Sequence, residues 1–171
     1  MNIFKKLYQH KSRYQDKINK SFTIVELIIV MFIFFTIGVL FYNSFFNVSL
    51  DYSYLKNDSE TIKQILIKAK QKSILSENNS PWGVYFENST TDVFYLFQGN
   101  DFSTTSVYEK YNLNHFNRFV NPPENSSTQI VFSKFFGYTN TTTQIIIKNY
   151  KSDIFSTITI NYFGNIDYQI K

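Results

Sequence analysis

The sequence predicts an α+β fold: a long N-terminal transmembrane helix that continues into an amphipathic half, packed on an antiparallel β-sheet head. Three observations carry this expectation. Residues 27–50 form a run without a single charge, most of it apolar. No proline precedes Pro81, and apolar residues recur at helical spacing through Ile62, Ile65, Leu66 and Ala69. Beyond Pro81 the pattern changes to period two. The expected organisation is a basic leader over 1–21, a transmembrane and assembly helix over 22–50, an amphipathic helix and turn over 51–80, and a β-rich globular head over 81–171.

Charge separates the leader from the rest. The 171 residues carry 17 bases and 13 acids, a formal charge of +4. Lys5, Lys6, Lys11, Arg13, Lys17 and Lys20 lie in the first 21 residues against one acid, Asp16. Setting those aside leaves eleven bases and twelve acids, a net of −1. A polyanion footprint needs clustered positive charge, so the head is not expected to bind nucleic acid.

The run over 27–50 holds 24 residues, and about twenty apolar residues cross the hydrocarbon core as a helix. In lipid every backbone amide must bond internally, which overrides the strand preference of so many β-branched and aromatic residues. The basic flank places the N-terminus in the cytoplasm and the head outside. A cleaved secretory signal is disfavoured. Its apolar region is usually ~7–15 residues and ends in small-x-small, whereas this run ends in Phe45-Phe46-Asn47-Val48-Ser49.

A plain anchor does not explain Glu26. A lone carboxylate costs about 2.5–3.5 kcal/mol at mid-membrane. Upstream of the run stands Lys20-Ser21-Phe22-Thr23-Ile24-Val25-Glu26. This segment resembles the cleavage and N-methylation motif of type IV pilins and type II secretion pseudopilins: a basic leader, a small residue, then Phe-Thr-Leu-Ile-Glu and an apolar run. The resemblance implies cleavage by a prepilin peptidase between Ser21 and Phe22, and methylation of the new Phe22 amine. Ser21 stands where the family has Gly. Thr23 and Glu26 become the second and fifth mature residues. The resemblance then implies that Glu26 pairs with the Phe22 amine of a neighbouring subunit, which offsets its desolvation and sets axial register. Major pilins carry a proline partway along the apolar helix. Here Asn43 lies in that stretch without one, which implies a stiffer helix and a minor component.

Residues 77–81, Glu-Asn-Asn-Ser-Pro, read as a turn. Strands are expected over 82–87 and 92–98, joined as a hairpin, and over 129–136, 143–149, 155–163 and 166–170. Residues 99–127 read as a long loop with a short element near 107–113. The order of elements resembles pseudopilin H and FimT-like minor pilins. Some of those bind DNA through a basic Gly-Arg-x-Arg ending, but Gly164-Asn165-Ile166-Asp167 is neutral and acidic here.

No catalytic constellation is expected. Cysteine is absent, and the two histidines, His10 and His115, are far apart in sequence. His115 reads as a loop residue and Trp82 as a packing residue. Asp92, Asp101, Glu109, Glu124, Asp153 and Asp167 read as solvated surface acids, and the Lys63–Lys72 bases as a solvated helix face. No cofactor and no metal are expected. The expected function is a structural minor pilin or pseudopilin subunit of a type IV pilus, secretion or competence filament. Its partners would be prepilin peptidase, other pilins, and membrane lipid before assembly. The alternative is a membrane-anchored extracytoplasmic ligand-binding module that does not polymerise.

Overall fold

The computed structural model describes residues 23–171, apart from the side chains of residues 43–49. Helix α1 spans Ile24–Ile74, 51 residues. The chain divides inside it into two compact units, Met1–Phe45 and Phe46–Lys171. The described part of the first unit is apolar helix: Ile24–Tyr42 is long and apolar enough to cross a membrane.

In the second unit the remaining part of α1 packs against two four-stranded antiparallel sheets. The first has the order β3-β2-β1-β5, built from β1 (Trp82–Asn88), β2 (Val93–Gln98), β3 (Val107–Asn112) and β5 (Ser126–Phe132). The second has the order β4-β6-β7-β8, built from β4 (Asn117–Asn121), β6 (Thr143–Asn149), β7 (Phe155–Ile160) and β8 (Ile166–Ile170). The head therefore has two sheets where the sequence suggested a single layer.

One stripe of α1 supplies the helical side of the core. Leu55, Ile62, Leu66 and Ala69 are fully buried, at the i, i+3, i+4, i+7 spacing that keeps side chains on one face. They join Trp82, Val84, Phe86 and Leu96 of the first sheet and Ile145, Ile147, Ile158 and Ile160 of the second in one cluster. Two serines continue the stripe. Ser59 Oγ donates to the Leu55 carbonyl and meets Ser156 Oγ on β7, both at 2.7 Å. Ser73 Oγ accepts from the Trp82 amide at 2.7 Å and donates back to the Trp82 carbonyl at 3.2 Å. That pair anchors the first residue of β1 to the last turn of the helix.

Glycine matters at Gly83, which faces away from the helix. A Cβ there would stand 2.6 Å from the Ile130 carbonyl oxygen and 2.8 Å from the Phe97 ring. Phe97 is thereby buried on the outer face, where Phe102 closes over it and stacks on Tyr85 at 3.8 Å.

Three sequence expectations are corrected. In the long loop over 99–127, β3 is the short element expected near 107–113, but the loop also contains β4. In β4 the inward positions are Asn117 and Phe119, so a buried amide stands where period-two reading looks for an apolar residue. The strand expected over 129–136 is Ser126–Phe132, because residues 133–138 close a turn in which Ser133 N–H donates to the Tyr138 carbonyl at 2.8 Å. The strand expected over 155–163 ends at Ile160, where Tyr162 and Phe163 turn into Gly164 at φ 68°.

Ser73→Ala leaves the buried Trp82 amide without its acceptor and is expected to destabilise the head by about 1–3 kcal/mol. Urea unfolding of the detergent-solubilised chain, followed by fluorescence of the single tryptophan, measures this.

Candidate assembly site and surfaces of the head

The assembly site expected from the sequence would lie at residues 21–26. Ser21 and Phe22 lie outside the described residues. Thr23 and Glu26 are described, and they form a reciprocal cap at the start of α1. The Thr23 backbone N–H donates to Glu26 Oε2 at 2.9 Å, and Thr23 Oγ1 donates to the same oxygen at 3.0 Å. The Glu26 N–H donates to Thr23 Oγ1 at 3.3 Å. This is a capping box: Thr at the N-cap, Glu three residues on, each serving an amide that the helix itself leaves unpaired. The Thr-x-x-Glu spacing is the local sequence signature of this cap. Both bonds fall on Oε2, and among the described residues none donates to Oε1. The carboxylate thus starts the helix and keeps one oxygen for a further donor.

Of the acids read as solvated, Asp92 departs furthest from that reading. Asp92 is buried, with Arg118 Nη1 at 3.4 Å from Oδ2 and no hydrogen-bond partner for Oδ1. Burial pushes its carboxyl above the usual range, and the Arg118 charge only partly opposes that. Asp58 on α1 is buried as well. Its Oδ2 accepts from the Asn114 amide at 2.9 Å and from Asn117 Nδ2 at 2.7 Å, and Asn117 Oδ1 in turn accepts from Asn149 Nδ2 at 3.0 Å. Burial raises the Asp58 carboxyl too, with these bonds holding it back. This chain of amides is why Asn117 can be buried in β4.

The bases on the amphipathic helix are engaged with the head, not solvated as expected. Lys68 Nζ is 2.5 Å from Glu109, and this bond is the chief reason the Glu109 carboxyl lies below its ordinary value. Tyr111 also donates to Glu109. Burial first, and that bond second, push the Tyr111 hydroxyl up to about 12. Lys72 pairs with Glu77 at 2.6 Å and lies 4.4 Å and 4.7 Å from the Trp82 and Tyr108 ring centres. Lys70 Nζ donates to the carbonyls of Phe163 and Gly164 at 3.2 and 2.9 Å.

Two of the head's concavities gather polar side chains. An open groove of about 800 Å³ is lined by Asn79, Asn100, Asp101, Gln129, Lys134 and Thr143, among others. Some of its polar groups are bonded to one another. Gln129 accepts from the Phe102 amide and donates to Asp101, and Lys134 donates to Asn79 at 2.6 Å. A smaller hollow of about 360 Å³ brings Asp92, Arg118, Lys110 and His115 together. His115 is exposed in the turn after β3, its ring 3.6 Å from Phe116. Trp82 is fully buried and donates from Nε1 to the Glu77 carbonyl at 3.2 Å. Among the described residues no three metal-ligating acids or histidines come together.

Comparison with protein-family models, with curated proteins and with solved structures finds no match to this chain. The site therefore rests on the motif and on the geometry above.

Asp92 ties proton binding to stability. Its folded carboxyl titrates above the unfolded value of about 3.9, so its neutral form favours the fold. That contribution is complete below the unfolded value and is lost as pH rises through the folded one. Asp92→Asn is expected to unfold at higher urea than wild type at pH 7, with the gap closing by about pH 4. Paired unfolding curves across that range check it; a gap that widens on acidification contradicts the assignment.

Proposed function

We propose that this chain is a structural subunit of a type IV pilin-like filament, a minor pilin or pseudopilin assembled after prepilin peptidase cuts between Ser21 and Phe22. The observation that carries the reading is Lys20-Ser21-Phe22-Thr23-Ile24-Val25-Glu26 joined directly to an apolar helix.

Each part of that segment has a task in the scheme. The basic leader keeps the uncut chain's N-terminus in the cytoplasm. Cleavage creates a cationic amine at Phe22. Thr23 and Glu26 start the helix two residues later, at Ile24. The Glu26 carboxylate then receives the amine of an adjacent subunit through the oxygen that the cap leaves for a further donor. Inside an apolar bundle this pair is well shielded, so it holds one subunit at one axial position relative to the next. The head is exported, and the filament forms at or beyond the cytoplasmic membrane.

The second reading is a membrane-anchored binding module, and the 800 Å³ groove is the observation in its favour. The Gln129–Asp101 and Lys134–Asn79 bonds in its lining weigh against it, since a ligand that used those groups would have to replace them.

Intact mass and N-terminal sequencing of the chain purified from membranes separate the two. Filament assembly requires a mature chain beginning at methylated Phe22; a chain beginning at Met1 overturns it. A second measurement separates charge from cap. Glu26→Gln is expected to insert into the membrane normally and to reduce incorporation into sheared filaments at least tenfold, about 1.4 kcal/mol. Thr23→Ala keeps the carboxylate and is expected to incorporate nearly as wild type.

A further inference from the structure

The first sheet ends on β5, and that edge is built unlike the three other sheet edges. Strand β3 meets β2 through a register shift and carries Glu109 and Lys110. Strand β4 has five residues, a register shift against β6, Arg118 inside it and Pro122 directly after it. Strand β8 has five residues and carries Asp167. Bulges, short length, charge and proline are the devices that keep a sheet edge from pairing with other chains. Strand β5 has none of them. Its seven residues, Ser-Ser-Thr-Gln-Ile-Val-Phe, hold no charge, proline or glycine, and all seven pair with β1 in unbroken register.

Alternation fixes which backbone groups of β5 face outward. The Ile130 carbonyl oxygen points at β1, 2.6 Å from the place a Cβ on Gly83 would occupy. In an antiparallel ladder alternate residues turn both N–H and C=O to the same side. Ser127, Gln129 and Val131 therefore turn theirs away from β1. Ser133 continues that outward set, and it is satisfied by the turn: its N–H donates to the Tyr138 carbonyl at 2.8 Å, and its carbonyl accepts from the Gly137 amide at 2.9 Å. After Tyr138 the chain leaves β5, and the Thr139 amide donates to the Tyr162 carbonyl at 2.9 Å instead. Pairing along the outer side of β5 stops there. Among the described residues nothing bonds the outward backbone groups of Ser127, Gln129 or Val131. The groove of about 800 Å³ lies where the pairing stops, lined by Gln129, Val131 and Ser133 together with Asn140 and Thr141.

We propose that the outer edge of β5 accepts an extended polypeptide segment of a partner protein, which adds to the first sheet as a fifth strand lying in this groove. The open groups select the occupant. They are N–H and C=O pairs that repeat at every second residue, about 6.8 Å apart. An extended main chain is the chemistry that presents matching donors and acceptors at that period. The two charged residues of the lining, Asp101 and Lys134, are bonded to Gln129 and Asn79. A strand read through its backbone leaves those bonds in place, and the amides and hydroxyls around it suit an uncharged segment. The edge is recessed beside residues 139–143, which admits one strand more readily than the sheet edge of a second folded head. Such an addition uses the head alone and requires neither cleavage at Ser21 nor filament assembly.

Residue-resolved hydrogen exchange of the full chain in detergent tests this. The probe is the peptide Thr-Val-Thr-Val-Thr-Val-Thr with blocked ends, uncharged and strand-forming, at millimolar concentration. Without it the Ser127, Gln129 and Val131 amides should exchange fast, and the Thr128 and Ile130 amides, which face β1, slowly. The peptide should slow the first three by about tenfold or more and leave the other two unchanged. The same peptide with every amide N-methylated keeps its side chains but loses its donors, and should protect nothing. Val131→Pro removes one outward N–H, which an edge strand tolerates on its free side, and should weaken peptide binding about fivefold, the loss of one hydrogen bond. Should that variant not fold, the N-methylated peptide makes the same distinction on the wild-type chain. The proposal is overturned if the three amides stay fast with peptide, or if the N-methylated peptide protects them equally, which is groove binding through side chains. Folded Val131→Pro that binds as wild type overturns it too. So do amides already slow without peptide; protection that fades on dilution makes a second copy the occupant.

Discussion

The head depends on one stripe of helix being buried by two sheets at once. Leu55, Ile62, Leu66 and Ala69 form the apolar part of that stripe, fully removed from solvent. Burying a side chain of this size is worth about 1.5–3 kcal/mol, but the hydrophobic term alone would allow the helix to slide or rotate. Direction comes from polar ties to different strands. Ser59 bonds Ser156 on β7, Asp58 bonds Asn117 on β4, and Ser73 holds both backbone groups of Trp82 on β1. The ties from Asp58 and Ser59 reach the second sheet and the tie from Ser73 reaches the first. A helix bonded at two heights to two sheets has one axial position.

The same use of polar groups recurs at the other end of the helix. Glu26 in an apolar helix is expensive unless it is partnered. The cap with Thr23 provides partners within the chain and leaves an oxygen available. In the head, Asp58 and Asp92 carry the cost of burial in raised carboxyls, the first partly offset by Asn117 and Asn114 and the second partly offset by Arg118 and the Phe119 backbone. The basic face of the amphipathic helix likewise serves the head: Lys68, Lys70 and Lys72 each end on a carboxylate, a backbone carbonyl or a ring. A charge run that looks solvated in a helical wheel is, in this chain, part of the packing.

Much of the architecture was legible because it follows from local periodicity. The stripe through Ile62, Ile65, Leu66 and Ala69 is buried as its spacing suggested, and β1, β2, β6 and β8 match their apolar alternation within a residue or two. Thr157-Ile158-Thr159-Ile160 alternates in burial as read. Strand β4 was hidden because its buried alternation runs through Asn117, whose burial requires Asp58 and Asn149 from elements 59 and 32 residues away. The end of β5 was misplaced because Phe135 and Phe136 look like strand residues, while the helix terminus at Ser73 and the closing turn place them in a loop. The candidate site divides in the same way. The Thr23–Glu26 spacing is local and readable; the burial of Asp92 and the open edge of β5 are not.

By itself the sequence determined the membrane-compatible helix, the acid near its start, the change from helical to strand period at Pro81, and most strand positions, because each is a property of neighbours along the chain. Only the tertiary structure decided that the strands split into two sheets, that Asn88 of β1 pairs with Ser126 of β5, and that the Tyr138 ring meets Tyr162 and Phe163 from a distant turn. Those outcomes depend on which remote groups satisfy one another's hydrogen bonds and fill one another's space. Such complementarity belongs to pairs of segments and leaves no periodic trace in either one.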